Sequence, residues 1–417
     1  MADMYVTEIK KPKVMLCSVD IGEYDCEMSL DELEELADTA GAETVIRVTQ
    51  KRPSYDSANC VGPGKLEEMA ELCKIHEIDQ IIFDNELTAT QIRNIEDACS
   101  VHTIDRTMLI LDIFAQRATT KEGKLQVALA QYKYRLPRLA GMGVALSRLG
   151  GGIGTRGPGE TKLETDKRHI RTLISNLSEE LREIEKRRVA HRERRKKDGV
   201  LSAAIVGYTN VGKSTLLNKL TDAGVLAENK LFATLETTSR SIELPDGRSV
   251  LLIDTVGLIR RLPHHLVEAF KSTLEEAASA DVILHICDAT APDAKEQADV
   301  TLSLLRELGC EQIPVVTVFN KCDLVPDLSG IEGGDFVRIS AKSGEGIDEL
   351  LQAITKALPA SAYREKLLLP FSQAGLLSKI RIDGKVFSEE YTADGILCDC
   401  LVDIKIYPQV EEYKIND

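Results

Sequence analysis

Residues 203–215 read AAIVGYTNVGKST, an apolar run that breaks into a glycine turn and resumes as a helix-forming stretch. Gly207, Gly212, Lys213 and Ser214 stand there at the spacing GxxxxGKS. The run predicts a buried strand, and the glycines let the backbone wrap an anion with successive N–H groups pointing inward. The following helix adds its positive end. Tyr208, Thr209, Asn210 and Val211 complete the loop. Lys213 is expected to place a point charge on β- and γ-phosphate oxygens, and Ser214 to offer its hydroxyl to Mg2+. A glycine turn without function is the alternative, but the strand before and the helix after favour a phosphate loop.

Three further strings follow in order, each at the end of an expected strand. VLLIDTVG, residues 250–257, carries Asp254 and Gly257 around Thr255 and Val256. Asp254 is expected to hold the metal through water, and the Gly257 N–H to sense the γ-phosphate. VVTVFNKCD, residues 315–323, carries Asn320, Lys321, Cys322 and Asp323. The Asp323 carboxylate can accept from both N1–H and the exocyclic amine of guanine, whereas adenine offers an acceptor at N1 and no amine at position 2. VRISAKSGEG, residues 337–346, carries Ser340, Ala341 and Lys342, whose backbone is expected to reach the guanine carbonyl. Such strings are individually common, but four in order at strand ends, where α/β sheets bind ligands, point to GTP and GDP.

Between the phosphate loop and Asp254 lies LFATLETTSRSIEL, residues 231–244, where a switch loop belongs. A threonine hydroxyl there should complete the Mg2+ shell, and Thr234, Thr237 and Thr238 are the candidates. Lys213 and Gly257 are the expected catalytic groups. Leu258 stands where many GTPases have the glutamine that orients water, so the unaided rate should be low. His264 and His265 nearby read as surface residues.

At 417 residues the chain has room for about two to four domains, each with its own core. Apolar residues at 43% and charged residues at 29% exclude a disordered or fibrous protein. No apolar run approaches the roughly 18 residues of a membrane span, and the N-terminus does not read as a signal peptide. We expect a cytoplasmic monomer. The ten cysteines form no CxxC pair and read as small apolar residues, Cys398 and Cys400 included, since i and i+2 of a strand share a face. Gly152, Gly154 and Gly157 spell GxGxxG, but without a preceding strand they make no dinucleotide site.

The net charge of −15 argues against a nucleic-acid partner until its distribution is read. From Gln131 to Lys197 there are 18 Lys and Arg against 8 Asp and Glu, one basic section in an acidic chain.

Short apolar runs alternate with amphipathic ones over residues 1–108, the pattern of a small parallel sheet covered by helices. Residues 109–199 lack strand signals and read as two helices, Leu109–Arg135 and Glu160–Lys197, forming a basic antiparallel hairpin around the connection LGGGIGTRGPGETKLETD. Ile170, Ile174, Leu177, Leu181 and Ile184 make one narrow apolar stripe on the second helix. Residues 200–359 return to alternation, a three-layer α/β domain. Residues 360–417 read as a small C-terminal α+β or β domain with two or more strands, KVFSEEYT and ILCDCLVDIKIYP among them.

With these motifs placed, the chain resembles the HflX family of ribosome-associated GTPases over nearly its whole length. The resemblance is carried by IDRTMLILDIFAQRATTKEGKLQVALAQYKYRLPRL, GGGIGTRGPGETKLETDKR, VGYTNVGKSTLLNKLT, LFATLETTSR and DTVGLIRRLPHHLVEAFKSTLEEA. It implies that Phe232, Ala233, Thr234, Leu235 and Glu236 form the switch segment, with Thr234 as the Mg2+ ligand. It implies that the N-terminal region docks on the large ribosomal subunit and its rRNA, with the glycine-rich loop near the peptidyl transferase centre, and that the protein splits or rescues stalled ribosomes. A hydrophobic residue in place of the glutamine is usual in the family, so Leu258 fits. In GPGK, Pro63 departs from the lysine-containing string to which ATP binding is attributed in some members. A basic section with a glycine-rich tip carrying Arg156 and Lys162 suits contacts to structured RNA, and the rival reading is a module for a protein or membrane complex.

Overall fold

A computed structural model of the chain describes residues 11–147, 158–221, 231, 232, 237–261, 276–325, 336–360 and 362–415. They divide into two compact units, the first holding the described residues up to 186 with 231, 232 and 259–261, the second the remainder.

In the first unit, β1 (Lys13–Asp20), β2 (Glu43–Lys51), β3 (Gln80–Phe83) and β4 (His102–Asp105) form a wholly parallel sheet in the order β2-β1-β3-β4. The helices α1 (Cys26–Thr39), α2 (Pro63–His76) and α3 (Ala89–Cys99) are the crossovers that parallel strands require. Met15, Cys17, Val19, Ile81 and Phe83 from the strands bury against Met69, Cys73, Ile95 and Cys99 from the helices. Helix starts are marked locally: Asp25 accepts from the Met28 N–H, and Thr88 and Gln91 form a reciprocal capping box.

The expected single helix Leu109–Arg135 is two helices, α4 (Arg106–Arg117) and α5 (Lys121–Ser147). Ala118 turns extended, and the Thr120 hydroxyl accepts from the Gly123 N–H at 3.0 Å. Adjacent β-branched threonines favour a cap over a helix interior, so the apolar periodicity runs through a break it cannot reveal. The long α6 (Pro158–Lys197) follows, and Lys121 pairs with Glu180 at 3.2 Å, as antiparallel helices require. Ile170, Ile174, Leu177, Leu181 and Ile184 are all half-buried, while Arg168, Arg171, Arg182, Lys186, Arg187 and Arg194 are exposed. Residues 149–157 of the glycine-rich connection lie outside the described residues.

In the second unit, β5 (Leu201–Gly207), β6 (Thr238–Glu243), β7 (Ser249–Asp254), β8 (Val282–Asp288), β9 (Val315–Asn320) and β10 (Phe336–Arg338) form a sheet ordered β10-β9-β8-β5-β7-β6. Only β6 runs antiparallel to its neighbour. The central strands are buried on both faces, which is why β5 and β8 read as continuous apolar runs. The helices α7 (Lys213–Thr221), Ala294–Glu307 and Ile347–Ala357 complete the α/β domain.

At the C-terminal end, β11 (Ala362–Leu369), β12 (Lys385–Tyr391) and β13 (Ile396–Asp403) form an antiparallel sheet packed with the helix Ala374–Asp383. The strand Ala362–Leu369, AYREKLLL, is not among those named from sequence, because its first half alternates poorly and stays partly exposed. Cys398 and Cys400 share a buried face with their sulfurs 3.9 Å apart, among Leu367, Leu369 and Ile380. Nine of the ten cysteines are buried, and Cys322 is half-buried. Among the described residues no helix is long and apolar enough to cross a membrane.

Candidate functional site

The strand β5 delivers Gly207 to the end of the sheet, where Tyr208–Gly212 turn the chain into α7. Asn210 takes φ +60° and Gly212 φ +94°. A Cβ on Gly212 would lie 2.3 Å from the Asn320 amide nitrogen, so only glycine allows the approach. That approach is used: Asn320 donates to the Val211 carbonyl at 2.8 Å and accepts from the Ala341 N–H at 2.9 Å. One buried side chain thereby ties together Gly207–Ser214, Asn320–Asp323 and Ser340–Lys342.

Around it, Lys321 sits at φ +65° and donates to Asp288 at 2.6 Å. The half-buried Cys322 donates its thiol to the Phe319 carbonyl at 3.2 Å, and Asp323 is exposed. Ser340 is buried, its hydroxyl accepting from the Ser343 N–H at 3.1 Å, and Lys342 is exposed.

Ser214 donates to the fully buried Asp254 carboxylate at 2.9 Å. Next to it the Thr255 hydroxyl donates to the Ile205 carbonyl at 2.7 Å, and Val256 is buried. The Lys213 ammonium donates to the carbonyls of Gly207 at 3.0 Å and Tyr208 at 2.6 Å. Burial pushes this ammonium down to about 8, the nearby Asp254 carboxylate opposing the fall. The Thr209 hydroxyl is buried in the loop with no partner among the described residues.

Gly257 lies against this loop so closely that a Cβ would stand 2.7 Å from the Thr209 methyl and 3.2 Å from the Lys213 nitrogen. Leu258 is buried and pairs by its backbone: its N–H donates to the Gly207 carbonyl at 3.2 Å, and its carbonyl accepts from the Thr209 N–H at 2.7 Å. Phe232 is buried in the first unit, its ring 4.7 Å from that of Phe114. Ala233, Thr234, Leu235 and Glu236, and likewise His264 and His265, lie outside the described residues. Of the two remaining threonine candidates, Thr237 precedes β6 and Thr238 opens it. Asp288 was not singled out from sequence. Its signal was the acid ending the apolar run VILHICD, one strand away from Asn320.

An α/β sheet with a phosphate loop, an acid at the end of the adjacent strand and an Asn-Lys-x-Asp turn is the arrangement of a guanine-nucleotide site. Family models match in three blocks: the N-terminal region of GTP-binding GTPases over residues 27–115, their middle region over 117–195, and a 50S ribosome-binding GTPase over 202–321. The GTPase HflX of Caldanaerobacter subterraneus subsp. tengcongensis is 49% identical over 406 residues, spanning 97% of this chain and 94% of its own. The chain belongs to the HflX family of GTPases.

The HflX GTPase of Escherichia coli is 43% identical over 356 residues, 84% of each chain. A GTP-binding protein from the archaeon Sulfolobus solfataricus, solved in complex with GDP, is 24% identical, spans 83% of this chain and 98% of its own, and superimposes with a TM-score of 0.42. As a member of the HflX family the chain is a GTP-binding switch that hydrolyses GTP. GTPases of this kind generally use Mg2+ with the nucleotide.

Proposed function

We propose that this HflX-family GTPase is a ribosome-directed switch: the GTP-bound form docks on the large ribosomal subunit, separates or rescues stalled ribosomes, and leaves on hydrolysis. The observation that carries the reading is α6, a helix of 40 residues whose exposed side chains include Arg168, Arg171, Arg182, Lys186, Arg187 and Arg194. It lies in a basic section of a chain whose net charge is −15. An exposed cationic rod contacts a phosphate backbone through many side chains at once. The match to a 50S ribosome-binding GTPase supports the same reading. Function then follows the parts 1–108, 109–199, 200–359 and 360–417, with RNA contact assigned to the first two and the nucleotide to the third.

Within the nucleotide site, Gly207–Gly212 wrap the phosphates by their N–H groups, Lys213 neutralises the β and γ oxygens, and Gly257 reads the γ-phosphate. Asp323 accepts from guanine, Ala341 and Lys342 reach its carbonyl, and Asn320 holds the base loops to the phosphate loop. The buried Ser214 hydroxyl and Asp254 carboxylate, 2.9 Å apart, are hard oxygen donors of the kind Mg2+ takes. Ser214 would hold the ion directly, Asp254 through water, and Thr234 would join when the γ-phosphate is present. Bound there, Mg2+ would neutralise charge on the transferring phosphoryl group.

Sedimentation of the full chain with large subunits tests the reading. It should pellet with subunits in a non-hydrolysable GTP analogue, much less in GDP, and lose binding steeply as salt rises. Salt-insensitive association with a protein or membrane fraction, and none with subunits, would favour the rival reading.

A further inference from the structure

Lys213, Ser214, Asp254 and Asn320 each bond within the protein: Lys213 to the carbonyls of Gly207 and Tyr208, Ser214 to Asp254, and Asn320 to the backbone of Val211 and Ala341. Thr209 departs from that pattern. The residue is 4% exposed, and its hydroxyl is shut off from solvent with no partner among the described residues. Its N–H donates to the Leu258 carbonyl at 2.7 Å, so the hydroxyl is the donor the residue has left. A buried hydroxyl without a partner destabilises the chain that carries it, whereas valine would fill the same space without that penalty. A ligand that brings the missing acceptor removes the penalty.

The place of Thr209 says which acceptor that is. A Cβ built on Gly257 would stand 2.7 Å from the Thr209 methyl, 3.0 Å from its Cα and 3.2 Å from the Lys213 nitrogen. Thr209 and the Lys213 ammonium therefore flank the glycine whose N–H is assigned to the γ-phosphate. The methyl and the hydroxyl of Thr209 share one carbon, and a change of rotamer of about 120° exchanges them. With no hydrogen bond to give up, the hydroxyl is free to make that turn. Leu258, the residue after Gly257, has a buried aliphatic side chain and bonds the loop by its backbone, so its side chain brings the γ-phosphate no donor.

We propose that the Thr209 hydroxyl donates to a γ-phosphate oxygen, which makes Thr209 a specificity-determining residue for the triphosphate over the diphosphate. A hydroxyl aimed at a charged phosphate oxygen forms a strong hydrogen bond where water is excluded. GDP ends at the β-phosphate and gives Thr209 no acceptor. The hydroxyl is thus satisfied in the GTP-bound chain and unpaired once phosphate has left. It keeps its proton throughout and acts by binding alone. Thr209 takes this role only if the phosphate loop and Gly257 hold the nucleotide as proposed, and it needs no ribosomal partner.

The test compares, on the nucleotide-free full chain, the affinity of a non-hydrolysable GTP analogue with that of GDP. Thr209→Val keeps the shape and deletes the hydroxyl, so it should weaken the analogue about tenfold and leave GDP unchanged. Thr209→Ser keeps the hydroxyl and should hold the ratio of the two affinities near the wild-type value. The thermal midpoint of the nucleotide-free chain separates a ligand contact from a structural bond. Thr209→Val should keep or raise it, because no bond of the free protein is lost, and a lowered midpoint with an unchanged ratio would give the hydroxyl to the fold. An unchanged ratio in Thr209→Val, or an equal loss of both nucleotides, would overturn the proposal. Lys213→Ala tests the site itself and should weaken both nucleotides. If it does so while Thr209→Val shifts nothing, the site stands and the role of Thr209 falls; if it leaves both affinities unchanged, the two fall together. Should Thr209→Val not fold, the ratio in Thr209→Ala against that in Thr209→Ser decides.

Discussion

The Lys213 ammonium donates to the carbonyl of Tyr208 at 2.6 Å, so the cation of the phosphate loop is turned onto its own backbone. Carbonyl dipoles do not replace the water that burial removes, and the ammonium falls to about 8. A bound polyphosphate would stabilise the charged form and raise that value. Below about 8 the lysine is protonated free and bound, and affinity is flat with pH. Above it, binding must recover a proton, and affinity falls. From about pH 7 to about pH 9 nucleotide affinity should drop about tenfold. Lys213→Arg, which stays charged, should bind more weakly but without this fall. Titration calorimetry across that range checks it, and equal slopes for the two proteins would remove Lys213 from the account.

Asp323, proposed to accept from the base, is exposed at the end of the Asn-Lys-x-Asp turn. Asp323→Asn replaces one accepting oxygen by a donor and removes the charge, so GTP affinity should fall about a hundredfold. The amide donor suits the carbonyl that xanthine carries in place of the guanine amine, and xanthosine triphosphate should gain. Competition between the two nucleotides measures the exchange. A variant that loses both equally would show that Asp323 does not read the base.

Ser214, which donates to Asp254 at 2.9 Å from the start of α7, is the proposed direct ligand of Mg2+. Ser214→Ala should weaken Mg2+-dependent binding of both GTP and GDP. Thr234→Ala should spare GDP and slow GTP hydrolysis about tenfold or more, because a switch threonine meets the ion only beside a γ-phosphate. Hydrolysis at graded Mg2+ separates the two. If Thr237→Ala or Thr238→Ala shows the second pattern and Thr234→Ala does not, the switch ligand has been misplaced.

The nucleotide motifs are legible in sequence because each is local. Gly207–Ser214 carries its strand, turn and helix in one contiguous string, and the doubly buried β5 and β8 announce themselves as unbroken apolar runs. What escapes is long-range or masked by a continuous pattern. Asp84 and Arg261, which pair at 2.6 Å, are 177 positions apart, and nothing in the sequence around either points to the other. Asp288 meets Lys321 only because β8 and β9 are neighbours in the sheet. The break at Thr119 and Thr120 leaves the apolar periodicity on either side intact, and the polar half of Ala362–Leu369 hides a strand that pairing with β13 secures.

Leu258 offers no group to orient water, and its backbone is bonded to the phosphate loop, so the isolated protein should hydrolyse GTP slowly. On the proposed reading a ribosomal partner completes the site. Phosphate release by the full chain with and without large ribosomal subunits, at low and raised salt, tests it most directly. Stimulation is expected at low salt and should fade as salt rises. Arg182→Glu combined with Lys186→Glu on the exposed face of α6 should lower the stimulation while basal hydrolysis is unchanged. A basal rate that large subunits leave unaltered at low salt would contradict it.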